Sequence, residues 1–198
     1  IAAVAESVEH TAPADITAAF ITPGLVEAHA HVFLDGAELD NDRRNAQLEA
    51  DFTTMMETAR GNVAKSARAG VTLIRDAGDR FGVNHAMRDE LAATSRGAVR
   101  MRSPGLALKR PKRYGGFMAR DIVETREIAP AVAELARSGD DIKIILTGII
   151  DFKSGSVKGE PQFDAEQLGV IVAEAHRSGR RTFAHCSGLA GLTVAAAA

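Results

Sequence analysis

Residues 23–32 read PGLVEAHAHV, a turn signal followed by an apolar run that carries two histidines at alternate positions. Pro and Gly mark a turn, so we expect the run after them to be a β-strand. Side chains two residues apart in a strand point to the same face, which places the imidazoles of His29 and His31 together. Neutral imidazoles bind zinc and related divalent ions. Because an H-x-H pair also occurs without a metal, it predicts only half of a metal site.

From this strand onward, short apolar runs alternate with helical stretches. Four further strands are predicted at residues 71–75, 99–108, 141–147 and 181–186. Helices are predicted at about 45–69, where Gly70 ends the helix, at 83–93, 122–137 and 165–178, and from residue 189 onward. Strands of continuous apolar character separated by helices indicate a parallel sheet covered by helices, an α/β fold.

Two architectures fit this order of elements, an open doubly wound sheet and the (β/α)8 TIM barrel. No G-x-G-x-x-G follows the first strand, so dinucleotide binding by an open sheet has no support. A complete barrel takes about 250 residues. Five strand–helix units in 198 residues therefore predict an unfinished barrel over residues 23–198. Residues 1–22, with two short apolar β segments, are interpreted as the remnant of a small β structure.

Composition restricts the class of protein. A formal charge of −2 and 45% hydrophobic residues predict a globular protein, with no support for binding to nucleic acid or a membrane. The single cysteine, Cys186, excludes an intrachain disulfide framework and a zinc cluster of cysteines alone. The chain opens on Ile1 rather than on methionine, so we expect its start to be missing. Localisation is unknown from the sequence, and the cytoplasm is a working assumption.

Other ligand-type side chains stand at later strand ends. Catalytic groups of a parallel barrel lie on its C-terminal face, and there the sequence places His185 and Lys143. A lysine inside a buried strand must be paired, deprotonated or modified, because an unpaired buried cation costs several kcal/mol. An unprotonated lysine that reacts with carbon dioxide becomes a carbamate, which can bridge two metals. The alternative is an ion pair with Asp140 or Asp141, or a side chain that reaches the strand end.

Four segments, ITPGLVEAHAHV, AGVTLIRDAG, DDIKIILTG and EAHRSGRRTFAHCSG, span most of residues 21–188. In order and spacing they resemble the amidohydrolase superfamily, closest to the branch of imidazolonepropionase-like enzymes and Xaa-Pro or Xaa-Arg/Lys dipeptidases. The resemblance implies that His29 and His31 bind the more buried metal, that Lys143 is the carbamate bridge, and that His185 binds the second metal. It also implies that residues 1–22 belong to a small β-sandwich built from both chain ends. Imidazolonepropionase itself is mononuclear and lacks the bridging lysine, so Lys143 favours the dipeptidase-like side.

The resemblance implies two further site residues, which we expect beyond the end of this chain. The family has a His at the end of the sixth strand and, at the end of the eighth, an Asp that acts as general base. The chain stops before either position, so no catalytic residue is assigned, neither Asp141 nor Asp151, and we expect the fragment alone to be inactive.

The expected function is that of a metal-dependent hydrolase with two divalent ions, zinc by preference. A metal-bridging hydroxide would attack the carbonyl carbon of a small substrate, so that its amide or peptide C–N bond breaks, and the expected substrate is dipeptide-like. The alternatives are a cyclic amidase of imidazolonepropionase type, a deaminase, or a non-catalytic barrel-derived binding module. A homo-oligomer is compatible with the sequence.

Several other residues carry weaker expectations. The basic run at 108–116 holds a substrate carboxylate, with Tyr114 as a donor, or is a solvated loop. Residues 151–161 form a mobile flap or a plain surface loop. Arg75 and Asp76 are expected to form ion pairs inside the barrel rim. We expect His176 to be structural and His10 and His85 to be surface residues. Cys186 is expected to be a small core residue.

Overall fold

The computed structural model describes residues 18–94, 99–151 and 153–198. Residues 18–22 carry no helix or strand, and the rest of the predicted β-sandwich remnant lies outside the described residues, as does His10. That part of the domain division stays a prediction.

The described residues form seven β-strands and six α-helices. The strands are β1 Leu25–Ala30, β2 Val71–Asp76, β3 Arg100–Arg102, β4 Ala107–Lys109, β5 Ala119–Asp121, β6 Asp141–Ile145 and β7 Arg181–His185. The helices are α1 Asn41–Gln47, α2 Phe52–Arg68, α3 Val83–Ala93, α4 Ile128–Leu135, α5 Ala165–Arg177 and α6 Gly188–Ala197.

All pairings between these strands are parallel, in two sheets with the orders β1-β2-β3 and β5-β4-β6-β7. The parallel α/β fold is confirmed, and the order of strands and helices is that of a partial (β/α)8 barrel. β1 is an edge strand of the first sheet, and β7 is an edge strand of the second. Leu25 on β1 is accordingly 59% exposed.

The predicted third strand, residues 99–108, is two strands in the structure. β3 and β4 are separated by Ser103-Pro104-Gly105-Leu106, where proline offers no backbone donor and Gly105 has a φ of 72°. A Cβ at Gly105 would also stand 2.7 Å from Nε2 of His85. The uninterrupted strand was therefore wrong, because this turn divides it.

Two helix predictions were also wrong in their extent. The region 45–69 holds the last residues of α1 and all of α2, and the Asp51 side chain caps α2 by accepting from the Thr54 N–H at 2.8 Å. The helix expected from residue 122 begins only at Ile128, after a 3₁₀ turn at Thr125–Glu127. Ile122 instead donates its N–H to the Lys109 carbonyl, next to the short strand β5, which was not predicted.

Strand β6 separates an apolar core from the barrel interior. Ile142, Ile144 and Leu146 pack against α4 and α5 in one buried cluster, on the helix-facing side. Because side chains alternate, the other side of β6 carries Asp141 and Lys143, both buried. The side of β6 that faces the barrel interior therefore carries one carboxylate and one amine. No helix among the described residues is both long and apolar enough to cross a bilayer.

Candidate functional site

The two histidines at the end of β1 face each other. Their ring centroids are 5.8 Å apart with an interplanar angle of 65°. His29 is the fifth residue of β1, and His31 follows the last strand residue, so strand alternation brings both rings to one side. The pair predicted from the H-x-H spacing is therefore adjacent in space.

His31 has a fixed orientation. Its Nδ1 lies 2.9 Å from the Gly78 carbonyl, and an N–H donated there leaves the lone pair of Nε2 free. The carboxylate of buried Asp76 accepts from the Val32 and Gly78 N–H groups at 2.9 and 2.8 Å, which fixes the backbone around this contact. Burial lowers the pKa of His31 to about 4, so its imidazole is neutral at physiological pH. An imidazole oriented by a carbonyl in this way suits metal ligation.

Lys143 on β6 contacts the edge strand β1 and so joins the two sheets. Its side chain is 0% exposed, and its Nζ lies 3.2 Å from Nε2 of His29. Burial, and then the positive charge of Arg75, lower the pKa of Lys143 to about 7. The amine can therefore be unprotonated near neutral pH, which is the form that accepts carbon dioxide.

The alternative for Lys143, an ion pair with Asp140 or Asp141, is not what the structure has. Asp140 pairs with Arg88 at 3.3 Å, and Asp141 pairs with Arg102 at 2.9 Å. Among the described residues, no carboxylate forms an ion pair with Lys143, and the side chain does not reach solvent. In the part of the chain that the structure describes, the lysine is thus buried without a neutralising partner.

His185 stands at the end of β7, on the same side as Lys143. Its Nε2 lies 3.2 Å from the Gly148 carbonyl, and its ring centroid is 5.3 Å from that of Tyr114. Burial is the largest cause that lowers the pKa of His185, and the charge of Lys143 adds to it. Burial, and then Lys143 and His185, likewise lower the pKa of His29, so the three imidazoles and the amine share one electrostatic environment.

The chemistry of these donors fits a divalent metal. Three neutral imidazoles and an unprotonated amine offer lone pairs of the kind that zinc binds. Within the described ranges, no group of three or more His, Cys, Asp or Glu side chains is arranged to hold a metal. The donor set therefore depends on Lys143, which lies beside the His29 imidazole.

A cavity of about 510 Å³ opens next to His31. Tyr114 and Phe117 form part of its wall, and the segment between β1 and α2 supplies the polar residues Asp35 and Arg44. Burial raises the pKa of the Tyr114 phenol, so the hydroxyl stays a neutral hydrogen-bond donor. The cavity has the size and the mixed lining of a small-molecule site.

Most basic side chains of the run 108–116 bind other groups of the protein. Lys109 is buried and pairs with Asp121, and Arg110 donates to the carbonyls of Ile122 and Val123 at 3.0 Å. Arg113 bonds to the carbonyl of Glu160. These contacts fix the loop that carries Tyr114.

The expectation of ion pairs at the end of β2 is confirmed for Arg75 and wrong for Asp76. Arg75 lies 3.4 Å from Asp141, as an inward-facing ion pair, whereas Asp76 accepts backbone N–H groups instead. Sequence reasoning also missed Phe183, whose ring lies against Arg75 and Lys143. The strand pattern alone gave no signal for this contact between three strands.

Three minor expectations were wrong. Cys186 is exposed, because β7 ends at His185 and strand alternation stops there. His85 is partly buried, and its Nδ1 lies 2.7 Å from the Ser103 hydroxyl. His176 is exposed in the last turn of α5 rather than structural.

Comparison with known proteins identifies the family of this chain. The family model described as "Amidohydrolase family" matches residues 20–198. An uncharacterized protein of Mycobacterium bovis is 30% identical over 172 residues, which cover 84% of this chain and 39% of that protein. The chain therefore spans about two fifths of the length of this curated relative.

Solved structures share the fold. An Xaa-Pro dipeptidase with bound methionine in its active site superposes with a TM-score of 0.66 at 20% identity, over 87% of this chain and 45% of the other. The ochratoxinase of A. niger gives a TM-score of 0.64 at 22% identity, over 88% and 45%. At this level of identity the likeness concerns the fold alone.

Proposed function

Because this chain belongs to the amidohydrolase family, we propose that the protein is a metal-dependent hydrolase that cleaves a C–N bond of a small amide or dipeptide. One observation carries the proposal: the Nζ of buried Lys143 lies 3.2 Å from Nε2 of His29, with no carboxylate paired to it among the described residues. A buried lysine in that position needs a chemical reason, and metal ligation supplies one.

In this proposal, His29 and His31 hold one divalent ion and His185 holds a second. Lys143 would serve as a carbamate, formed when its unprotonated Nζ adds to carbon dioxide and releases a proton, and would hold the ions together with the three histidines. The lowered pKa of Lys143, about 7, favours the unprotonated amine that this reaction requires. Zinc is the expected metal because the donors are imidazole nitrogens and anionic oxygens.

The bound ions supply a nucleophile at neutral pH, by lowering the pKa of a water molecule, and they polarise the substrate carbonyl. This chain's own residues orient the ligands and the substrate. The Gly78 and Gly148 carbonyls fix the rings of His31 and His185. Tyr114, in the wall of the cavity beside His31, donates a hydrogen bond to a substrate carboxylate. No general base is assigned among the residues of this chain.

A dipeptide is the substrate class we favour. The cavity beside His31 combines apolar surface with the Tyr114 phenol, Arg44 and the acidic residues Asp35 and Glu38, which suits a small molecule that carries both a carboxylate and an amine. The Xaa-Pro dipeptidase among the structural neighbours supports the same choice.

The test is metal content together with hydrolysis. The complete gene product is stripped of metal by chelation and reloaded with zinc. We expect it to retain two zinc ions per chain, as measured by inductively coupled plasma mass spectrometry. It should then hydrolyse members of a panel of dipeptides ending in Pro, Arg or Lys, and chelation should abolish the activity. Retention of no metal and hydrolysis of no substrate would contradict the proposal and indicate a barrel-derived binding module.

A further inference from the structure

The Phe183 ring contacts two of the proposed metal ligands. In the parallel register of β6 and β7, Phe183 stands opposite Lys143. The Lys143 Nζ lies 4.7 Å from the ring centroid, and the His29 ring meets it edge-on at 6.4 Å. Both distances lie within the range of favourable contacts with an aromatic ring. The ring therefore lies against the pair that joins the two sheets.

Arg75 holds this ring from β2. Its guanidinium carbon lies 3.8 Å from the Phe183 centroid, the shortest of the cation–ring distances described here. A planar guanidinium stacks on an aromatic face in a way that a flexible ammonium does not. The Arg75 side chain is 27% exposed, so the stack is partly shielded from water, which strengthens it.

Arg75 is itself anchored by a buried carboxylate. Its Nε lies 3.4 Å from Asp141, which is 2% exposed as a side chain. Arg102 fixes the same carboxylate with two hydrogen bonds of 2.9 Å each. The contacts thus run from Asp141 through Arg75 to Phe183, and from Phe183 to Lys143 and His29.

We propose that Arg75 and Phe183 are positioning residues for the metal centre: Arg75, fixed by Asp141, holds the Phe183 ring, and the ring holds the Lys143 and His29 side chains in place for ligation. Neither residue donates to the metal. Residues behind the ligands typically contribute 10- to 100-fold to metal affinity by orienting them. The inference rests on the proposed function in that Lys143 and His29 are taken as ligands.

The experiment compares two arginines that bind the same carboxylate. Arg75→Met removes both the Asp141 contact and the stack on Phe183, whereas Arg102→Met removes the stronger Asp141 pair and leaves the stack. Phe183→Leu removes the ring. Each variant of the complete gene product is measured for zinc affinity, for the visible spectrum with Co²⁺ in place of zinc, and for thermal unfolding.

We expect Arg75→Met and Phe183→Leu to weaken zinc binding about 10-fold and to change the Co²⁺ spectrum. Arg102→Met should lower the melting temperature at least as much as Arg75→Met while zinc affinity stays within about twofold of the parent. Unchanged zinc affinity in Arg75→Met, or an equal loss in Arg102→Met, would overturn the inference.

A metal-free measurement separates this inference from the proposed function. The imidazole NMR signals of His29 report the surroundings of its ring without any metal. Arg75→Met and Phe183→Leu should shift these signals, and Arg102→Met should leave them in place. If the parent protein binds no zinc, the proposed function fails. Unshifted His29 signals in Arg75→Met would then show separately that the positioning role is wrong.

Discussion

The Nζ of Lys143 lies 3.2 Å from Nε2 of His29, although 114 positions separate the two residues in the chain. The contact joins the edge strand β1 of one sheet to β6 of the other. Burial in a strand that packs on two helices leaves the lysine no route to water. The contact therefore connects the two sheets at the point where the proposed metal ligands gather.

Substitution of Lys143 by alanine should reduce metal content and hydrolysis together. Without the bridging carbamate, we expect fewer than half of the zinc ions of the parent to remain and activity to fall by at least about 100-fold. Added short-chain carboxylic acids should restore part of both, because a carboxylate can occupy the place of the carbamate.

The control for this variant is Lys158→Ala. The Lys158 side chain is 60% exposed and lies 3.7 Å from Asp151, so its loss should change neither metal content nor activity. Metal content of Lys143→Ala equal to that of the parent would exclude the bridge.

The sequence predicted the strands that carry chemistry because two local rules are strong in a parallel barrel. Alternation placed His29 beside His31, and burial of an apolar strand made Lys143 stand out. These rules depend only on neighbours in the chain. The presence of β1, β6 and β7, and the direction of their His and Lys side chains, could therefore be predicted without the structure.

Contacts between distant strands could not be predicted in the same way. The stack of Arg75 on Phe183 brings β2 and β7 together, and no spacing within either strand reveals it. Pro104 and Gly105 are typical of a turn, and the prediction of one strand over 99–108 did not take account of them. Cys186 was misplaced because alternation was extended one residue past the strand end.

Stability should depend on pH through His31. Its pKa in the folded protein is about 4, below the unperturbed value of about 6.5, so the unfolded chain binds the extra proton. The contribution of neutral His31 is thus complete above pH 6.5 and is lost as pH falls toward 4. We expect the free energy of unfolding of the metal-free protein to lose up to about 3 kcal/mol from this residue, measured by urea denaturation across that range.

Comparing the parent with a His31 variant isolates the contribution of His31 to the pH dependence of stability. Asp76 works in the opposite direction, because burial raises its pKa to about 7 and the folded protein then binds the proton as pH falls. His31→Gln should remove the histidine part and flatten the acid-side loss. An identical pH profile for His31→Gln and the parent would show that His31 does not carry the effect.

Asp141→Asn should destabilise the protein more than a comparable change at the surface. The variant weakens the two charged hydrogen bonds from Arg102 and the ion pair with Arg75, all made by a buried carboxylate. Because both arginines keep some contact with water, we expect a loss of about 2 kcal/mol in the free energy of unfolding, measured by denaturant titration.

The matched surface change is Glu134→Gln. Glu134 pairs with Arg120 at 2.8 Å, but its side chain is 62% exposed, so the loss should stay within about 0.5 kcal/mol. Equal losses in the two variants would show that burial of Asp141 adds nothing to its ion pairs.

Tyr114→Phe tests the substrate side of the site. The phenol stays protonated because burial raises its pKa, and the ring lies 5.3 Å from that of His185. Loss of one hydrogen bond to a substrate carboxylate should raise KM for a dipeptide about 10-fold while zinc content is unchanged. Lys112→Ala, in an exposed position of the same loop, controls for a general disturbance of that loop. A fall in zinc content in Tyr114→Phe, or an equal rise in KM in Lys112→Ala, would contradict the role of the hydroxyl. The measurement thus separates the groups that bind substrate from those that hold the metals, because only the former leave the metal count intact.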